Sequence, residues 1–491
     1  MLRNQGRTAL EDGRHTLGYS ELAATVAEEG EWLASHGERF ALLADNGIGW
    51  AIADLALQAR GLPSVPVPGF FTAGQIRHAL DDAGVDCLLT DDPRRARELF
   101  PGWQTVAASG RSGLALFRRR IDPAARPVLP PGTAKITYTS GSTGQPKGVC
   151  LAASQLDAVA QSLADATKTL DIERHLCLLP LATLLENIAG IYAPLLADAT
   201  CLLPPASVTG MSYAGPDVRR LLGCISASRP QSLVLVPELL RLLVTAVERG
   251  WRAPDSLKFV AVGGAPVSVE LLERADRACL PVFEGYGLSE CASVVCLNTP
   301  RAHRRGSVGR PLPHARVRIA EDGQIMVSGI SMLGYLGQPD REAGAEWATG
   351  DLGEIDADGY VYVRGRLRNI FITGLGRNVA PEWVEREVVQ QPGIRLAMVH
   401  GEARPYAVAL VVATDETVTD ADIERGIDAA NGRLPAYAQV RRWARVPEPF
   451  TFQNGLLTSN GRLRRDAILE RHGALLAPLY DAAPRAARGD R

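Results

Sequence analysis

Lysine is almost missing from this chain. Of the 53 basic side chains in its 491 residues, only Lys135, Lys147, Lys168 and Lys258 are lysines. Arginine has taken the other positions, so a lysine that persists is a candidate for work suited to a compact point charge. Paired cysteines are missing too. The eight cysteines form no Cys-x-x-Cys and no Cys/His cluster at metal-ligand spacing, which excludes a zinc ribbon or finger. They read as small buried hydrophobes in a reducing compartment. A formal net charge of −2 offers no polyanion-binding surface, so nucleic acid is not an expected partner. The first eight residues lack the apolar core of a signal peptide. The most apolar stretch, residues 176–203, is interrupted by Pro180, Glu186, Asn187, Pro194 and Asp198. Charges at bilayer depth are costly, so it reads as buried core; no transmembrane segment and a cytoplasmic location are expected.

What remains is a globular composition, 46% hydrophobic and 22% charged, in a chain too long for one core. From residue 19 to about 92, helical and short apolar segments alternate. Ser20 is placed to cap a helix running through Trp32, residues 40–44 read as a buried strand, and residues 49–60 as a second helix. Residues 85–90, 232–237 and 258–264 read as further strands, the last before a helix at 269–279. Such alternation predicts an α/β fold, a large N-terminal domain of parallel-rich layers, with ligands beyond the strands' carboxyl ends. Past Gly306 the texture turns β-rich, at 315–319, 324–327 and 359–364. A boundary is expected at 365/366, giving an N-terminal domain of residues 1–365 and a smaller α+β C-terminal domain of residues 366–491.

Lys147 closes the run Thr-Ser-Gly-Ser-Thr-Gly-Gln-Pro-Lys-Gly of residues 139–148, directly after a short β-like stretch. Glycines let the backbone turn sharply and expose N–H groups, hydroxyls add donors for phosphate oxygens, and the lysine adds a mobile charge. No Gly-Lys-Ser/Thr follows, which excludes a P-loop kinase. Further motifs follow in order: Gly263-Gly-Ala-Pro266, Gly285-Tyr-Gly-Leu-Ser-Glu290, Trp347-Ala-Thr-Gly-Asp351, Gly365-Arg366 and a segment at 372–381. Each is weak singly. At these spacings they closely resemble the adenylate-forming superfamily of acyl-CoA synthetases, peptide-synthetase adenylation domains and beetle luciferases, over residues 19–466.

That resemblance implies an AMP-forming acid–thiol ligase using ATP, Mg²⁺ and CoA, with a mobile C-terminal lid. Thr139, Ser140, Gly141, Ser142, Thr143, Gly144 and Lys147 would embrace the β- and γ-phosphates. Gly263, Gly264, Ala265, Pro266, Tyr286 and Gly287 would surround the adenine, Tyr286 offering an aromatic face. Ser289 would bond the α-phosphate, Glu290 would hold Mg²⁺, and Asp351 with Arg366 would take the ribose. The lid would pivot at Arg368, and residues 374–376 would line a pantetheine tunnel.

The sequence departs from the pattern in three places. Where the superfamily carries its last lysine, in a context such as Asn-Gly-Lys, this chain has Arg462. Arginine keeps the charge and can fork onto phosphate, but it is bulkier. The motif of residues 179–183 ends in Thr183 where many relatives have His or an aromatic, and Ser289 replaces a commoner threonine. The expected acyl pocket, at 183–191, 236–239, 285–287 and 294–297, contains no lysine or arginine. A medium- or long-chain fatty acid, or another apolar carboxylic acid, is the expected substrate, with CoA or a carrier-protein pantetheine arm as acceptor. An acyl-AMP ligase, a β-lactone synthetase and a non-catalytic acyl or nucleotide binder remain alternatives, the last because of Arg462.

Overall fold

The computed structural model describes residues 6–106, 110–139, 147–211, 216–338, 345–372, 378–402, 404–458 and 461–481. Two large sheets dominate. The nine-stranded sheet runs, edge to edge, Arg310–Pro311, Ser293–Leu297, Val282–Leu288, Phe259–Val262, Ser232–Leu235, Arg174–Leu176, Thr200–Leu202, Thr8–Glu11 and Thr16–Gly18. Its strands from Val282–Leu288 to Thr8–Glu11 are mutually parallel, with antiparallel pairings at the flanks, one strand (Thr16–Gly18) on one side and two (Ser293–Leu297, then Arg310–Pro311) on the other. The eight-stranded sheet has a parallel centre, formed by Cys87–Thr90, Phe40–Leu43, Ser64–Pro66 and Thr133–Thr139. This is the α/β architecture that the alternation predicts.

One continuous core joins the two sheets, with Phe40 and Leu42 from one, Leu10 and Phe259 from the other, and helical residues among them. The helix Ile48–Arg60 buries Trp50, Ala51, Ile52, Ala53, Ala56 and Leu57, more than one face of its circumference. A helix apolar on most sides is stable only inside a large domain. It stops at Gly61, whose φ of 65° is the left-handed conformation glycine adopts without steric cost. The first helix, Tyr19–Ala34, starts two residues earlier than a Ser20 cap would have it: Gly18 is the cap, and its N–H donates to Glu21 Oε2 at 3.0 Å. A carboxylate reaching back from the first turn takes the cap's own N–H, and no cap side chain accepts from the first turn.

Residues 176–203 form core, as expected, but through a short helix Leu184–Glu186, a π-helical turn Asn187–Tyr192 and the helix Ala193–Leu196. Among the described residues no helix is long and apolar enough to cross a membrane. Seven of the eight cysteines are buried, and Cys279 is exposed at a turn with φ 54°.

The β-rich stretch forms a four-stranded sheet, Ala315–Ile319, Gln324–Gly329, Trp347–Ile355 and Val361–Arg366. The boundary expected after Gly365 therefore falls inside a strand, where Asp351 pairs with Arg366. Beyond it, a three-stranded sheet (Ile394–His400, Ala407–Ala413, Val440–Arg445) packs with the helices Pro381–Val389 and Asp420–Asn431 around a separate apolar cluster. The molecule thus has a large N-terminal domain and a smaller C-terminal one.

Candidate active site

The glycine-rich run connects two strands rather than a strand and a helix. Thr133–Thr139 and Lys147–Ala152 pair antiparallel, with Thr139 opposite Lys147. Lys147 is therefore held at a hairpin mouth, exposed to a cleft. Ser140, Gly141, Ser142, Thr143 and Gly144 lie outside the described residues, as does the 374–376 segment; Arg368 lies in the turn Leu367–Asn369, and its side chain is likewise outside them.

Opposite Lys147, the strand Val282–Leu288 leads into the short turn Ser289–Cys291. Two features aim this turn. At Gly287 a Cβ would fall 1.7 Å from the Ser293 carbonyl oxygen, so only glycine fits. Ala292 and Ser293 then adopt φ of 54° and 97°. Such conformations cost about 1–3 kcal/mol each and persist where the surroundings over-determine them.

Glu290 Oε1 accepts from the Tyr335 hydroxyl at 2.8 Å, and its carbonyl accepts from Met332 N–H at 2.6 Å. Lys147 Nζ stands 5.5 Å from the Tyr335 ring centre, within reach of the negative face of an aromatic ring. Tyr335 thus joins the loop lysine to the carboxylate. Sequence reasoning missed it, because nothing in Gly334-Tyr-Leu-Gly337 marks it out until the strand Gly334–Tyr335 is seen beside Lys147–Ala152.

Asp351 is almost fully buried. Its Oδ2 accepts from the Tyr286 hydroxyl at 2.7 Å and its Oδ1 meets Arg366 Nε at 2.8 Å. Burial, reinforced by this carboxylate, pushes the Tyr286 hydroxyl's pKa well above its ordinary value, so Tyr286 stays a neutral donor. The three residues form a brace on the cleft wall.

From the C-terminal side, Arg462 reaches across 198 positions of sequence. Its Nε and Nη2 donate to the Gly264 carbonyl at 3.0 and 2.7 Å. A fork onto one oxygen suits a planar guanidinium. The carbonyl is available because Gly264 turns with φ 82°. The Arg462 loop is itself a tight turn, with Thr458 N–H donating to the Arg462 carbonyl at 2.7 Å and Arg462 N–H to Thr458 Oγ1 at 3.0 Å. The crowded cleft, and then the neighbouring Arg366, lower its pKa, with Asp351, Tyr286 and Glu290 opposing. Arg462 therefore shares one electrostatic environment with the brace and the carboxylate.

These groups line one cavity of about 1810 Å³. Thr139, Lys147, Gly263, Gly264, Tyr286, Gly287, Ser289, Glu290, Arg366 and Arg462 are on its wall, whereas Asp351 sits just behind Tyr286 and Arg366. Ala265 and Pro266 lie beyond the wall, and of residues 236–239 only Val236 reaches it; Leu239 packs in the core on the sheet's other face. Thr183, Leu185, Ala189, Val294 and Leu297 do line it. One cluster escaped the sequence: His175, Cys177 and Glu186 bring donor atoms within 4.8 Å of one another, all buried. Burial raises the pKa of the Cys177 thiol and the Glu186 carboxyl well above their ordinary values. Held protonated, they are poor ligands for a cation.

Comparison with known proteins identifies the family. The AMP-binding enzyme family matches residues 2–336, and the AMP-binding enzyme C-terminal domain matches residues 369–484. A long-chain-fatty-acid–CoA ligase, FadD15 of Mycobacterium bovis, is 26% identical over 91% of this chain and 88% of its own. A feruloyl-CoA synthase of Amycolatopsis is 30% identical, covering 95% and 96%. The o-succinylbenzoate CoA synthetase of Bacillus subtilis, solved with ATP and a magnesium ion, superposes with a TM-score of 0.74 at 25% identity, covering 94% of this chain and 96% of that one. The chain belongs to the AMP-binding enzyme family and is an AMP-forming ligase of the acyl-CoA synthetase type.

Proposed function

We propose that this ligase activates a medium- or long-chain fatty acid with ATP and passes the acyl group to the thiol of CoA, in the cytoplasm. The observation that carries the substrate is the shape of the cavity. From the cleft it continues inward along two parallel strands, with Val262, Ala261 and Phe259 on one and Val236, Val234 and Ser232 on the other. From Val236 to Ser232 is four residues, about 13 Å at the ordinary strand rise, room for roughly ten methylenes. Ala189, Ala193 and Leu163 close the opposite side. The wall's lysine and arginines are Arg95, Lys147, Arg366, Arg462, Arg464 and Arg465, none of them on these two strands, so an uncharged chain is the fitting occupant.

In the first step a carboxylate oxygen attacks the α-phosphorus of ATP; the new P–O bond forms as the bond to the bridging oxygen breaks and pyrophosphate leaves. Charge builds on phosphate oxygens, and preformed donors are the main means of stabilising it. We assign Thr139, Lys147 and the run between them to the β- and γ-phosphates, Ser289 to the α-phosphate, and Tyr286 to the adenine. Asp351 and Arg366 hold the ribose, with Asp351 exchanging its bond from Tyr286 for one from a ribose hydroxyl. Glu290 fits Mg²⁺: its side chain lies on the cavity wall and, among the described residues, its carboxylate accepts only the neutral Tyr335 hydroxyl. The metal supplies positive charge against the phosphates when bound. Arg462 is the electrostatic clamp. In this arrangement it reaches the nucleotide end of the cleft, and its charge survives without a lysine. In the second step the C-terminal unit, residues 366–491, turns about Arg368; a thiol attacks the acyl carbon, loses its proton, and AMP departs.

Trapping the acyl-adenylate by mass spectrometry, with a series of saturated acids and no thiol, tests this reading. Adenylate that increases with chain length to a medium or long optimum is expected. Selective adenylation of aromatic acids alone would refute the substrate assignment, leaving the ligase assignment standing.

A further inference from the structure

The far end of the acyl tunnel is not apolar. His175 and Ser232 face each other in register on adjacent parallel strands, and the ring Nδ1 meets the Ser232 hydroxyl at 2.8 Å. Both are nearly fully buried, and both line the cavity. Around them the wall is Ile172, Ala199, Leu233 and Phe259, with Thr167, whose hydroxyl proton goes to the Leu163 carbonyl at 3.1 Å. A serine hydroxyl has one proton and two lone pairs. With one contact made to His175, Ser232 keeps capacity for another, and His175 Nε2 has no hydrogen-bond partner among the described residues. Unsatisfied polar groups at the bottom of an apolar shaft are costly unless something pairs with them.

No charged residue of the wall stands at this end, and the buried Glu186 carboxyl, which comes within 4.8 Å of His175 behind the wall, is held protonated by burial. Burial alone drives the His175 pKa down to about 4, so the imidazole is neutral near pH 7. A second carboxylate would therefore find no cation there. A plain methyl terminus would leave the hydrogen-bonding capacity of the pair unused. A hydroxyl or oxo group on the acyl chain uses it.

Resting on the ligase reading above, we infer that the tunnel end formed by His175 and Ser232 is a recognition site for an acyl chain bearing a neutral hydroxyl or oxo group near its far end. Ser232 would make the direct bond, and His175 would fix the direction of its hydroxyl. A site that pairs with a substrate hydroxyl rejects the analogue lacking it more strongly than an apolar slot rejects a missing methylene, because buried groups are left unpaired.

The test is competition between a saturated acid that spans the tunnel and the same acid with a hydroxyl at or next to its last carbon, read as acyl-adenylate formed by the full-length protein. The expected wild-type preference in kcat/KM for the hydroxy acid is about tenfold or more. In Ser232→Ala the ratio falls to about one, and in His175→Gln it falls part of the way. The wild-type ratio alone decides if either variant fails to fold. Equal use of the two acids, or a preference for the plain one, overturns the inference. So does a hydroxy-acid preference that Ser232→Ala leaves intact. Adenylation of no acid at all would instead bring down the ligase reading, and this one with it.

Discussion

Two of the four lysines stand at opposite ends of one hairpin, and their surroundings could hardly differ more. Lys135 is entirely buried. Its Nζ donates to Asp54 Oδ1 at 2.7 Å, Asn187 Oδ1 at 2.5 Å and the Tyr192 hydroxyl at 2.9 Å. Asp54 Oδ2 in turn accepts from Tyr192 at 2.6 Å and Asn187 at 2.8 Å. Burial lowers the Lys135 pKa, and Asp54 opposes that. All three donor positions of an ammonium are filled. Lys147, in contrast, is exposed at the mouth of the cleft, with an aromatic face as its near neighbour. One lysine joins a strand of the eight-stranded sheet to the helix Ile48–Arg60 and the π-helical turn; the other is left open to a ligand. In a chain that otherwise uses arginine, both positions favour a compact charge that needs no planar partner.

Breaking this contrast should separate stability from catalysis. Lys135→Ala leaves Asp54 buried without its counter-charge, and the expected cost is about 3–5 kcal/mol of stability, read by denaturant unfolding. Lys147→Ala should leave stability within about 0.5 kcal/mol yet lower ATP-dependent adenylation by roughly a hundredfold. A folded, active Lys135→Ala protein, or an unfolded Lys147→Ala protein, would erase the distinction.

His175 sharpens it from a second buried position. Its pKa is depressed in the folded state, so the neutral ring's contribution is complete above pH 6.5 and is lost as pH falls from 6.5 towards about 4. The loss should be on the order of 2–3 kcal/mol over that window. His175→Gln should flatten the acid limb of the stability curve, while the pH dependence in the same window should be unchanged in Lys147→Ala.

Arg462 probes the cleft from the other side. Arg462→Lys should preserve or raise adenylation, and a complete loss would mean that the C-terminal loop is organised around the guanidinium fork on Gly264. The smallest effect is expected at Tyr335. Tyr335→Phe removes one hydrogen bond to Glu290, worth about 1.5–3 kcal/mol for a charged acceptor. It should raise the Mg²⁺ concentration needed for half-maximal turnover several-fold, with the KM for the acid unchanged. Tyr335→Leu removes the ring beneath Lys147 as well and should raise the KM for ATP.

Much of this arrangement was legible along the chain. The parallel core strands and the helices Ile48–Arg60 and Val269–Arg277 follow local patterns of apolar period and turn residues, whereas Lys147, Tyr286, Glu290, Asp351 and Arg366 are marked by the order of motifs that resembles the adenylate-forming superfamily. The misses share a cause. Gly18 caps the first helix through a side chain three residues on, and Tyr335 acquires meaning only through Glu290, 45 positions away. The Lys135 network joins Asp54, Lys135, Asn187 and Tyr192 from three separate segments, and the His175–Ser232 pair is made by strand register. Long-range pairing of polar groups leaves no periodic trace in sequence.

The most direct measurement is ATP–pyrophosphate exchange with Mg²⁺ and without CoA, across saturated acids of rising length. Exchange that climbs to a medium- or long-chain optimum, with Arg462 in the lysine position, is the predicted result. ATP binding without exchange for any acid would contradict it.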